Sequence, residues 1–534
     1  MKPFQRILQT LGLRRPTPTG RSRAPASASS SPALNASLQE TLSRLQTSFG
    51  QSSDIVVRQW GGSGDMSGRL SLIYIEGMVN PKLLSNLTKA LSEAEPRLAD
   101  RSIASESVEE TIQSVLPAGH LHRIETDAQL YSAILEGSAA VLVDGVPGGI
   151  AAAVPGGERR GVEEPTSQTV VRGPKEGFTE ELAINLSLLR RKLRTPGLRF
   201  ERRKIGRYTQ TSVVIAYIDG LLDPQILEEI RTRLDAIDTD SILESGYIEE
   251  FIQDRTWSPF PTIMNTERPD TAAAALLEGL AAILVDGTPF VLLAPVTFFK
   301  FFQASEDYYQ RYDISSLLRV IRLFSFFVGM LLPSLYIAVT TFHQEMLPTT
   351  LLVSLAAQRE GTPLPALIEA FLMEITFEVI REAGVRMPRA IGPAISIVGA
   401  LVLGQAAVQA GLVSGAMVIV VSFTAIANFV IPALNMAASI RLIRFLLMLL
   451  AGTFGLFGIL IGTIPILTHV VTLRSFGVPY FTPLAPLEWN NLKDLFLRVP
   501  WRLMKSRPEA FYQQNEWRQG QGGNSGSHPG GGAG

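Results

Sequence analysis

The distribution of charged residues along the chain divides it into two halves. Three long stretches contain no Asp, Glu, Lys or Arg: residues 323–344, 390–440 and 445–473. A bilayer core takes about 20 apolar residues per helix, and the cores of soluble proteins rarely continue so long without a charge. The pattern therefore predicts an α-helical polytopic membrane domain. The expected spans are residues 323–341, 391–410, 412–431 and 445–473, which gives four, or five if the last stretch also holds a re-entrant piece.

The amino-terminal half contains an internal repeat. A Tyr-Ile-acid-Gly run at residues 74–77 recurs at 217–220, and a Leu-Val-Asp-Gly run at 142–145 recurs at 284–287. The first run ends a β-rich segment and is followed by a helix with Pro81 or Pro224 in its first turn. The second run is typical of a strand entering a tight turn, and its aspartate fits a hairpin better than a catalytic acid. We therefore predict tandem duplicated small α/β domains.

These patterns predict seven segments. They are a disordered basic arm (1–50), a first α/β repeat domain (51–155), a linker with a basic helix (156–205), a second α/β repeat domain (206–305), a membrane domain (306–475) with an amphipathic segment (345–389), a cytoplasmic segment (476–510) and a disordered Gly-rich tail (511–534). The basic helix of the linker, with Arg190 and Arg191, is expected either to face anionic lipid or to be a solvated connection.

Composition excludes several classes of function. The chain has no cysteine and only five histidines, so disulfides, thiolate catalysis and Cys-based metal sites are absent. No coupled Ser/His/Asp set and no phosphate-binding glycine loop occurs, so an enzyme is not expected, and neither are cofactors or metal ligands. The net charge of −1 says nothing about partners, and no nucleic-acid partner is expected.

A charged helix is predicted within the amphipathic segment. Glu374, Glu378 and Glu382 lie four residues apart on one face, which suggests a cation-attracting surface, a subunit contact or a solvated interfacial face. Polar residues inside the predicted spans, among them Gln405 and Asn428, usually face other helices or a water-filled cavity. These five residues are the candidates for pore lining or gating.

Flanking charges predict the orientation. The positive-inside rule assigns both termini to the cytoplasm and requires an even number of spans. Arg441 and Arg444 then conflict with the rule, a conflict that burial within the protein would resolve. Four glycines between residues 452 and 462 form a stripe of small residues that indicates close helix packing.

Motifs spread over residues 55–510 resemble the A subunit of GerA-type spore germination receptors of endospore-forming bacteria. They are Glu-Glu-Pro at 163–165, Val-Arg-Gly-Pro-Lys-Glu-Gly-Phe at 171–178, His-Gln-Glu-Met-Leu-Pro-Thr at 343–349, Arg-Glu-Ala-Gly-Val-Arg at 381–386, Gly-Gln-Ala-Ala at 404–407 and Arg-Ser-Phe-Gly-Val-Pro-Tyr at 474–480. Lys175 stands where the family usually has arginine.

The resemblance implies a multi-pass subunit of a nutrient-sensing complex in the inner spore membrane. Its partners would be a transporter-like B subunit, which is the expected germinant binder, and a lipoprotein C subunit. The A subunit is expected to form a homo-oligomer and conduct monovalent cations when germinant binds. The alternatives are a non-conducting scaffold or signalling subunit and a paralogue associated with dipicolinic-acid release. A secondary transporter is disfavoured because no inverted repeat is seen.

The resemblance also marks two groups of residues. The first is a candidate outer-loop motif with His343 and Glu345. The second is a candidate domain-junction motif, which comprises Arg172, Gly173, Pro174, Lys175, Glu176, Gly177 and Phe178.

Overall fold

The computed structural model of the protein describes residues 32–60, 70–98, 120–156, 165, 168–387, 402, 404–489, 491–507 and 518. Two α/β units come first. The first unit consists of α1 (Leu38–Phe49), β1 (Ile55–Trp60), β2 (Leu70–Ile75), α2 (Pro81–Leu98), β3 (Leu121–Ile124), α3 (Asp127–Leu135), β4 (Ser138–Val143) and β5 (Gly149–Ala153). The second unit consists of α4 (Leu182–Lys192), β6 (Leu198–Ile205), β7 (Thr211–Ile218), α5 (Pro224–Asp235), α6 (Ser245–Ile252), β8 (Met264–Thr266), α7 (Pro269–Glu278), β9 (Ala281–Val285) and β10 (Val291–Ala294).

Each unit has a five-stranded antiparallel sheet, and the two sheets have equivalent strand orders. The order is β1-β2-β4-β5-β3 in the first unit and β6-β7-β9-β10-β8 in the second. Alternate residues of a strand point to opposite faces. In β2, Ile73 and Ile75 therefore pack with α1 and α3, whereas Leu72 and Tyr74 pack with α2 on the other face. The duplication predicted from the repeat agrees with these matching orders.

The helix that precedes each sheet is held by the Asp-Gly turn of the same unit. The backbone N–H of Leu38 in α1 donates to Asp144 Oδ1 at 3.0 Å. The backbone N–H of Leu182 in α4 donates to Asp286 Oδ1 at 3.2 Å. The turn aspartates thus satisfy donors that the first turn of a helix leaves without partners. Compared with the predicted domain boundaries at residues 51 and 206, the first repeat therefore begins one helix earlier, and the second begins one helix and one strand earlier.

Two segments differ from the predicted organisation. Residues 38–49, expected in a disordered arm, form α1, because Leu38, Leu42, Leu45 and Phe49 are spaced along one face and are buried. Residues 198–205, expected in the linker, form the edge strand β6, which pairs with β7 over its whole length. Both segments lie in basic or polar stretches, whose composition is more typical of a disordered arm or a linker than of a helix or a strand. Residues 1–31 lie outside the described residues.

The carboxyl-terminal half is helical, and the predicted fold class is confirmed. It contains α8 (Tyr312–Thr341), α9 (Thr349–Glu360), α10 (Ala366–Arg386), α11 (Gly415–Phe429) and α12 (Leu434–Thr472). Among the described residues, α8 and α12 are long and apolar enough to cross a membrane, and α11 is a shorter apolar helix. Most of the predicted span at 391–410 lies outside the described residues. The number of spans therefore stays a prediction.

Helix α12 consists of two arms that meet at Gly455. This residue has φ 63° and ψ −140°, which no α-helix contains. Beyond it the chain turns back, because Gly458 lies against the backbone carbonyl of Leu450. A methyl group at Gly462 would likewise lie 2.6 Å from the Leu447 side chain. Small residues thus allow the two arms to approach closely. The last uncharged stretch was expected to be one tilted span or a span with a re-entrant piece, and it is a helical hairpin.

The two ends of the hairpin contact the same α/β unit. Asn435 Nδ2 donates to Glu249 Oε1 at 3.3 Å, and His469 Nε2 lies 2.9 Å from Ser258 Oγ. A straight helix would separate residues 435 and 469 by about 50 Å. We call the end of the helical half that contacts the second unit the unit end, and the end at Gly455 the distal end.

The other helices connect these two ends. Helix α8 runs from the second unit to the distal end, where His343 packs on Gly455. Helix α11 begins at Ser414, whose Oγ lies 3.5 Å from the hydroxyl of Tyr336 near the distal end of α8. It leads back to Ile431, which lies in the core of the second unit. Helices α10 and α11 both run towards the unit end.

One hydrophobic core joins the second unit to the helical half. Ile283 of the sheet, Phe326 and Met330 of α8 and Ile440 of α12 belong to the same buried cluster. The chain after α12 also enters this cluster, and the hydroxyl of the buried Tyr480 donates to the carbonyl of Pro261 at 2.7 Å. Side chains of the second unit and of the helices therefore share one close-packed interior.

Candidate functional site

Two carboxylates of α10 form ion pairs with α12, one of them buried and the other partly exposed. Arg444 Nη2 lies 2.9 Å from Glu374 Oε2, and each side chain is at most 1% exposed. The angle between the groups is not that of a hydrogen bond, so this contact is electrostatic. Glu378 Oε2 lies 2.9 Å from Arg441 Nη1 and 2.8 Å from Arg381 Nη2. Three cations thus surround two anions.

This arrangement differs from the expected acidic face. Glu374 is paired inside the protein and Glu378 is paired but partly exposed, whereas Glu382 is exposed and pairs with Arg386 on its own helix, at 2.7 Å. A carboxylate that is paired and buried, as Glu374 is, does not attract ions from solution. Arg444 is buried and Arg441 is paired with Glu378, as the predicted orientation requires of these arginines; the orientation itself stays a prediction.

The two polar span residues occupy different environments. Gln405 is exposed within a helical stretch at 404–409. Asn428 of α11 is buried, and in the described part of the chain neither atom of its amide has a hydrogen-bond partner. Its Oδ1 lies close to α8, since a methyl group at Gly329 would be 3.0 Å away. Asn428 therefore marks a close contact between α8 and α11.

A third carboxylate was not singled out from the sequence. Glu369 of α10 is fully buried, and its Oε1 accepts hydrogen bonds from the backbone N–H and the hydroxyl of Ser414. Ser414 is the N-cap of α11, so this pair fixes α10 to the beginning of α11. The sequence held a hint of this role, because Glu369 is a carboxylate among apolar residues five positions before Glu374, but its partner lies 45 residues away.

The candidate outer-loop motif lies at the distal end. A methyl group at Gly455 would lie 2.7 Å from Cε1 of His343, so the imidazole packs on the turn of the hairpin. Glu345 is exposed in the short 3₁₀ turn Gln344–Met346. The motif thus includes one residue that contacts the hairpin turn and one that faces away from the protein.

The backbone of the candidate junction motif joins the second unit to the beginning of α8. Gly173 has φ +139°, and a methyl group there would lie 2.7 Å from the ring of Tyr309, three residues before α8. The carbonyl of Pro174 accepts a hydrogen bond from Arg268 Nη2 at 3.0 Å. Tyr309 donates to Asp270 at 2.6 Å, and burial together with this carboxylate raises the pKa of Tyr309.

The side chains of the same motif contribute unequally. Phe178 is buried in the core of the second unit, and Gly177 is also buried. Glu176 pairs with Lys192 of α4 at 3.0 Å. The side chains of Arg172 and Lys175 are exposed.

A buried charge cluster anchors the unit end of α8. Asp307, which is fully buried, lies 3.1 Å from Arg319 Nε and 2.7 Å from Arg322 Nη1. Arg319 Nη1 also lies 2.7 Å from Asp494 Oδ1 of the segment after α12. Ion pairs thus join α8 to the segment that follows α12. In the described residues no group of three or more His, Asp or Glu side chains is placed to hold a metal ion.

Glu249 of α6 is a largely buried carboxylate at the unit end, where it contacts the beginning of α12. Burial and, to a smaller extent, the neighbouring Glu244 raise the pKa of Glu249, the hydrogen bond from Asn435 lowers it, and the net result is a pKa of about 7. Glu249 is therefore a group at the contact between α6 and α12 whose charge changes near neutral pH.

The sequence matches the family described as Bacillus/Clostridium GerA spore germination protein over residues 43–510. The chain belongs to this family. It is 46% identical over 488 residues to Spore germination protein KA of Bacillus subtilis (strain 168). This match covers 91% of this chain and 89% of that protein. It is also 46% identical over 482 residues to Uncharacterized membrane protein YfkQ of the same organism, with 90% and 93% covered.

Among solved structures, the chain is similar to the N-terminal domain of the A subunit of the Bacillus megaterium spore germinant receptor GerK3. The sequences are 35% identical, the TM-score is 0.39, and the match covers 51% of this chain and 99% of that domain.

Proposed function

We propose that this chain is the A subunit of a nutrient-germinant receptor in the inner membrane of the spore. In this proposal several copies oligomerise, and the assembly is a germinant-gated cation channel that triggers germination. Membership of the GerA family supports the receptor assignment. The observation that carries the gating part is the hydrophobic core that the second α/β unit shares with α8 and α12. A partner that displaces this unit would move the helices with it.

The partners follow from this proposal. A transporter-like B subunit would bind the germinant, a lipoprotein C subunit would complete the receptor, and monovalent cations would pass through the assembled helices. The beginning of α8 and the end of α12 both lie at the unit end, which favours an even number of membrane crossings. We therefore propose a multi-pass protein in membrane lipid, with both termini in the cytoplasm.

The environments of the five candidate residues differ in what they allow. Gln405 and Glu382 have exposed side chains, as a residue that meets passing ions requires. Glu374 and Glu378 are neutralised by arginines, and Asn428 packs between α8 and α11. We propose Gln405 and Glu382 as residues near the ion path, and the other three as residues that hold the helices in place.

Spores that carry variants of this chain test the proposal against a non-conducting scaffold. Release of potassium after germinant addition is measured with an ion-selective electrode, and the amounts of the partner subunits in the membrane are measured in the same spores. Gln405→Glu is expected to change the rate or the selectivity of ion release while the partner subunits stay at their normal level. Ile419→Leu, at an exposed apolar position of α11, serves as the control.

A different outcome would contradict the conducting role. If variants at Gln405 and Glu382 leave ion release unchanged, and removal of the chain acts only by lowering the amounts of its partners, then the chain is a scaffold. If dipicolinic acid release is affected while the response to nutrient is normal, the chain belongs to the paralogous subunits.

A further inference from the structure

A cavity at the distal end lies between the end of α8, the short turn that follows it, α9 and the residues that lead into α10. Its volume is about 320 Å³, which is within the range of about 300–1,000 Å³ for small-molecule sites. Four polar side chains line it: Thr340, Gln344, Arg359 and Thr362. The remaining lining residues are four leucines and one alanine. The cavity therefore combines a single cationic group with an apolar wall.

The guanidinium of Arg359 has no anion beside it. Within the described ranges Arg359 forms no ion pair, and its Nε is buried without a hydrogen-bond partner. The residue lies in the last turn of α9, where the partial negative charge of the helix end favours a cation without supplying a full counter-charge. Because a buried donor without an acceptor is unfavourable, the cavity lacks one acceptor group.

The other polar groups of the cavity already use donors within the chain. The hydroxyl of Thr340 donates to the carbonyl of Tyr336 at 2.7 Å, and that of Thr362 donates to the carbonyl of Arg359 at 2.9 Å. Gln344 Nε2 donates to the carbonyl of Thr340 at 2.9 Å. The two hydroxyls and this amide therefore mainly offer oxygen acceptors to an occupant. The guanidinium is the group that can bind an acid.

We propose that this cavity binds an anionic amphiphile, a molecule whose carboxylate or phosphate pairs with Arg359 and whose apolar body lies against the leucines. A guanidinium presents a planar fork of donors that matches either acid group. Two sources supply this chemistry: a membrane lipid with an acidic headgroup, and a small soluble acid. The inference does not depend on oligomerisation or conduction, and it adds a ligand site to the distal end of the helical half.

An occupant is expected to hold three helices of the distal end together. It contacts α8 at Thr340 and α9 at Arg359. Helix α9 in turn contacts the beginning of α11, because Gln358 Oε1 accepts a hydrogen bond from the backbone N–H of Ala416 at 3.2 Å. Binding in the cavity therefore restricts the movement of α9 relative to α8 and α11.

Three variants of the full chain test this inference. Arg359→Gln removes the positive charge and keeps a polar side chain. Ala356→Leu leaves the guanidinium intact and places a larger side chain at the wall of the cavity. Arg386→Gln, at an exposed arginine of α10 outside the lining, is the control.

Two measurements distinguish the two sources. In the first, the chain in dodecyl maltoside is titrated with hexyl phosphate and hexanoate by calorimetry, and hexanol is the uncharged comparison. In the second, the chain is purified from membranes with equal amounts of phosphatidylglycerol and phosphatidylcholine, and the retained lipids are quantified by mass spectrometry. Binding of the short acids identifies a soluble ligand, retention of phosphatidylglycerol alone identifies a lipid, and both results together show that the two share the cavity.

We expect Arg359→Gln to weaken the binding of the acid at least about tenfold, since a hydrogen-bonded charge pair is lost. Ala356→Leu is expected to weaken binding as well, whereas Arg386→Gln stays within about twofold of the wild type. If neither measurement shows binding, or if Arg359→Gln and the wild type bind equally in both, the inference is overturned. An effect of Arg386→Gln as large as that of Arg359→Gln would also overturn it, because the anion would then be attracted by surface charge alone.

Discussion

Arg190 of the second α/β unit and Asp54 of the first form a bidentate ion pair. Arg190 Nε lies 2.8 Å from Asp54 Oδ2, and Nη2 lies 3.0 Å from Oδ1. Neither side chain is more than 3% exposed. The guanidinium also donates to Ser52 and lies over the ring of Phe200. Arg190 was expected to face lipid or solvent with its basic neighbours, and it links the two units instead.

Breaking this pair is expected to destabilise the protein strongly. Arg190→Met leaves the carboxylate of Asp54 buried without its partner, which costs about 3–5 kcal/mol. The double variant with Asp54→Leu is expected to recover most of this loss, since no buried charge remains. Denaturant unfolding of the detergent-solubilised chain measures the effect. Arg194→Met, at an exposed position of the same basic run, is the control and is expected within about 0.5 kcal/mol of the wild type. Equal stability of the Arg190 and Arg194 variants would refute the linking role.

The ion pair between α10 and α12 leads to a similar prediction in the helical half. Glu374→Ala leaves Arg444 charged and buried with only Glu378, at 3.8 Å, in reach among the described residues, so the folded state is expected to lose up to about 3–5 kcal/mol. Glu382→Ala removes only an exposed pair within one helix, worth about 0.3–0.5 kcal/mol. Thermal unfolding of the purified protein in detergent compares the two. The charge-free pair Glu374→Leu with Arg444→Met should restore stability, and failure of this rescue would show that packing rather than charge holds α10.

The turn of the hairpin depends on a glycine. Gly455→Ala forces a side chain into a positive-φ backbone conformation that glycine adopts readily and other residues rarely do, at about 1–3 kcal/mol, and brings its methyl group against His343. We expect a lower midpoint of thermal unfolding and a smaller yield of folded protein. Gly361→Ala is the matched control, because its φ is negative and a methyl group there meets nothing within 4 Å. If both variants behave alike, α12 does not turn back at Gly455.

Glu249 predicts a dependence of stability on pH. Its pKa in the folded protein is about 7, against 4.5 as the usual value, so the folded state binds the proton more tightly than the unfolded state. The protonated carboxyl therefore favours folding below about pH 4.5, and this contribution is lost as the pH rises to 7. Its size is on the order of 1–3 kcal/mol.

Glu249→Gln is expected to remove this loss. Unfolding midpoints between pH 5 and 8 should decline less with pH in the variant than in the wild type. Glu250→Gln, the exposed neighbour on α6, should keep the wild-type profile. If Glu249→Gln leaves the dependence of the unfolding midpoint on pH unchanged, the Glu249 carboxylate is solvated at its contact with α12.

In the junction motif, we expect the backbone at Gly173 to matter more for receptor assembly than the side chain of Arg172. Gly173→Val brings a branched side chain against the ring of Tyr309 and is expected to lower receptor assembly in the membrane. Arg172→Ala changes an exposed side chain and is expected to have a small effect. Co-purification of the partner subunits measures both. A larger effect of Arg172→Ala would mean that a partner subunit contacts this arginine.

Local patterns in the sequence account for much of the fold. Uncharged stretches, β-rich runs and acid-Gly turns depend on near neighbours, so the duplication and the helical half were predictable. The helix at residues 38–49 and the strand at 198–205 were not predicted, because each has a polar composition and is too short for its apolar periodicity to stand out. The hairpin was missed because Gly455 lies in an apolar run that is equally suited to a single long helix.

The candidate site was less accessible from the sequence, because its contacts are distant along the chain. Glu374 and Glu378 share a face by their spacing, but Arg441 and Arg444 approach them only after the chain has folded. One signal was present, since these two arginines are the sole charges between residues 390 and 473. Charges isolated in so long an apolar stretch need partners, and the glutamates of α10 are the nearest anions on their amino-terminal side.

The most direct test of the central claim is ion flux through the purified receptor complex in liposomes. The account predicts that nutrient germinant starts a flux of monovalent cations, and that the flux needs this chain. It also predicts that Gln405→Glu changes the selectivity while Ile419→Leu leaves it unchanged. Complexes that bind germinant and contain all subunits, yet show no flux in any preparation, would contradict it.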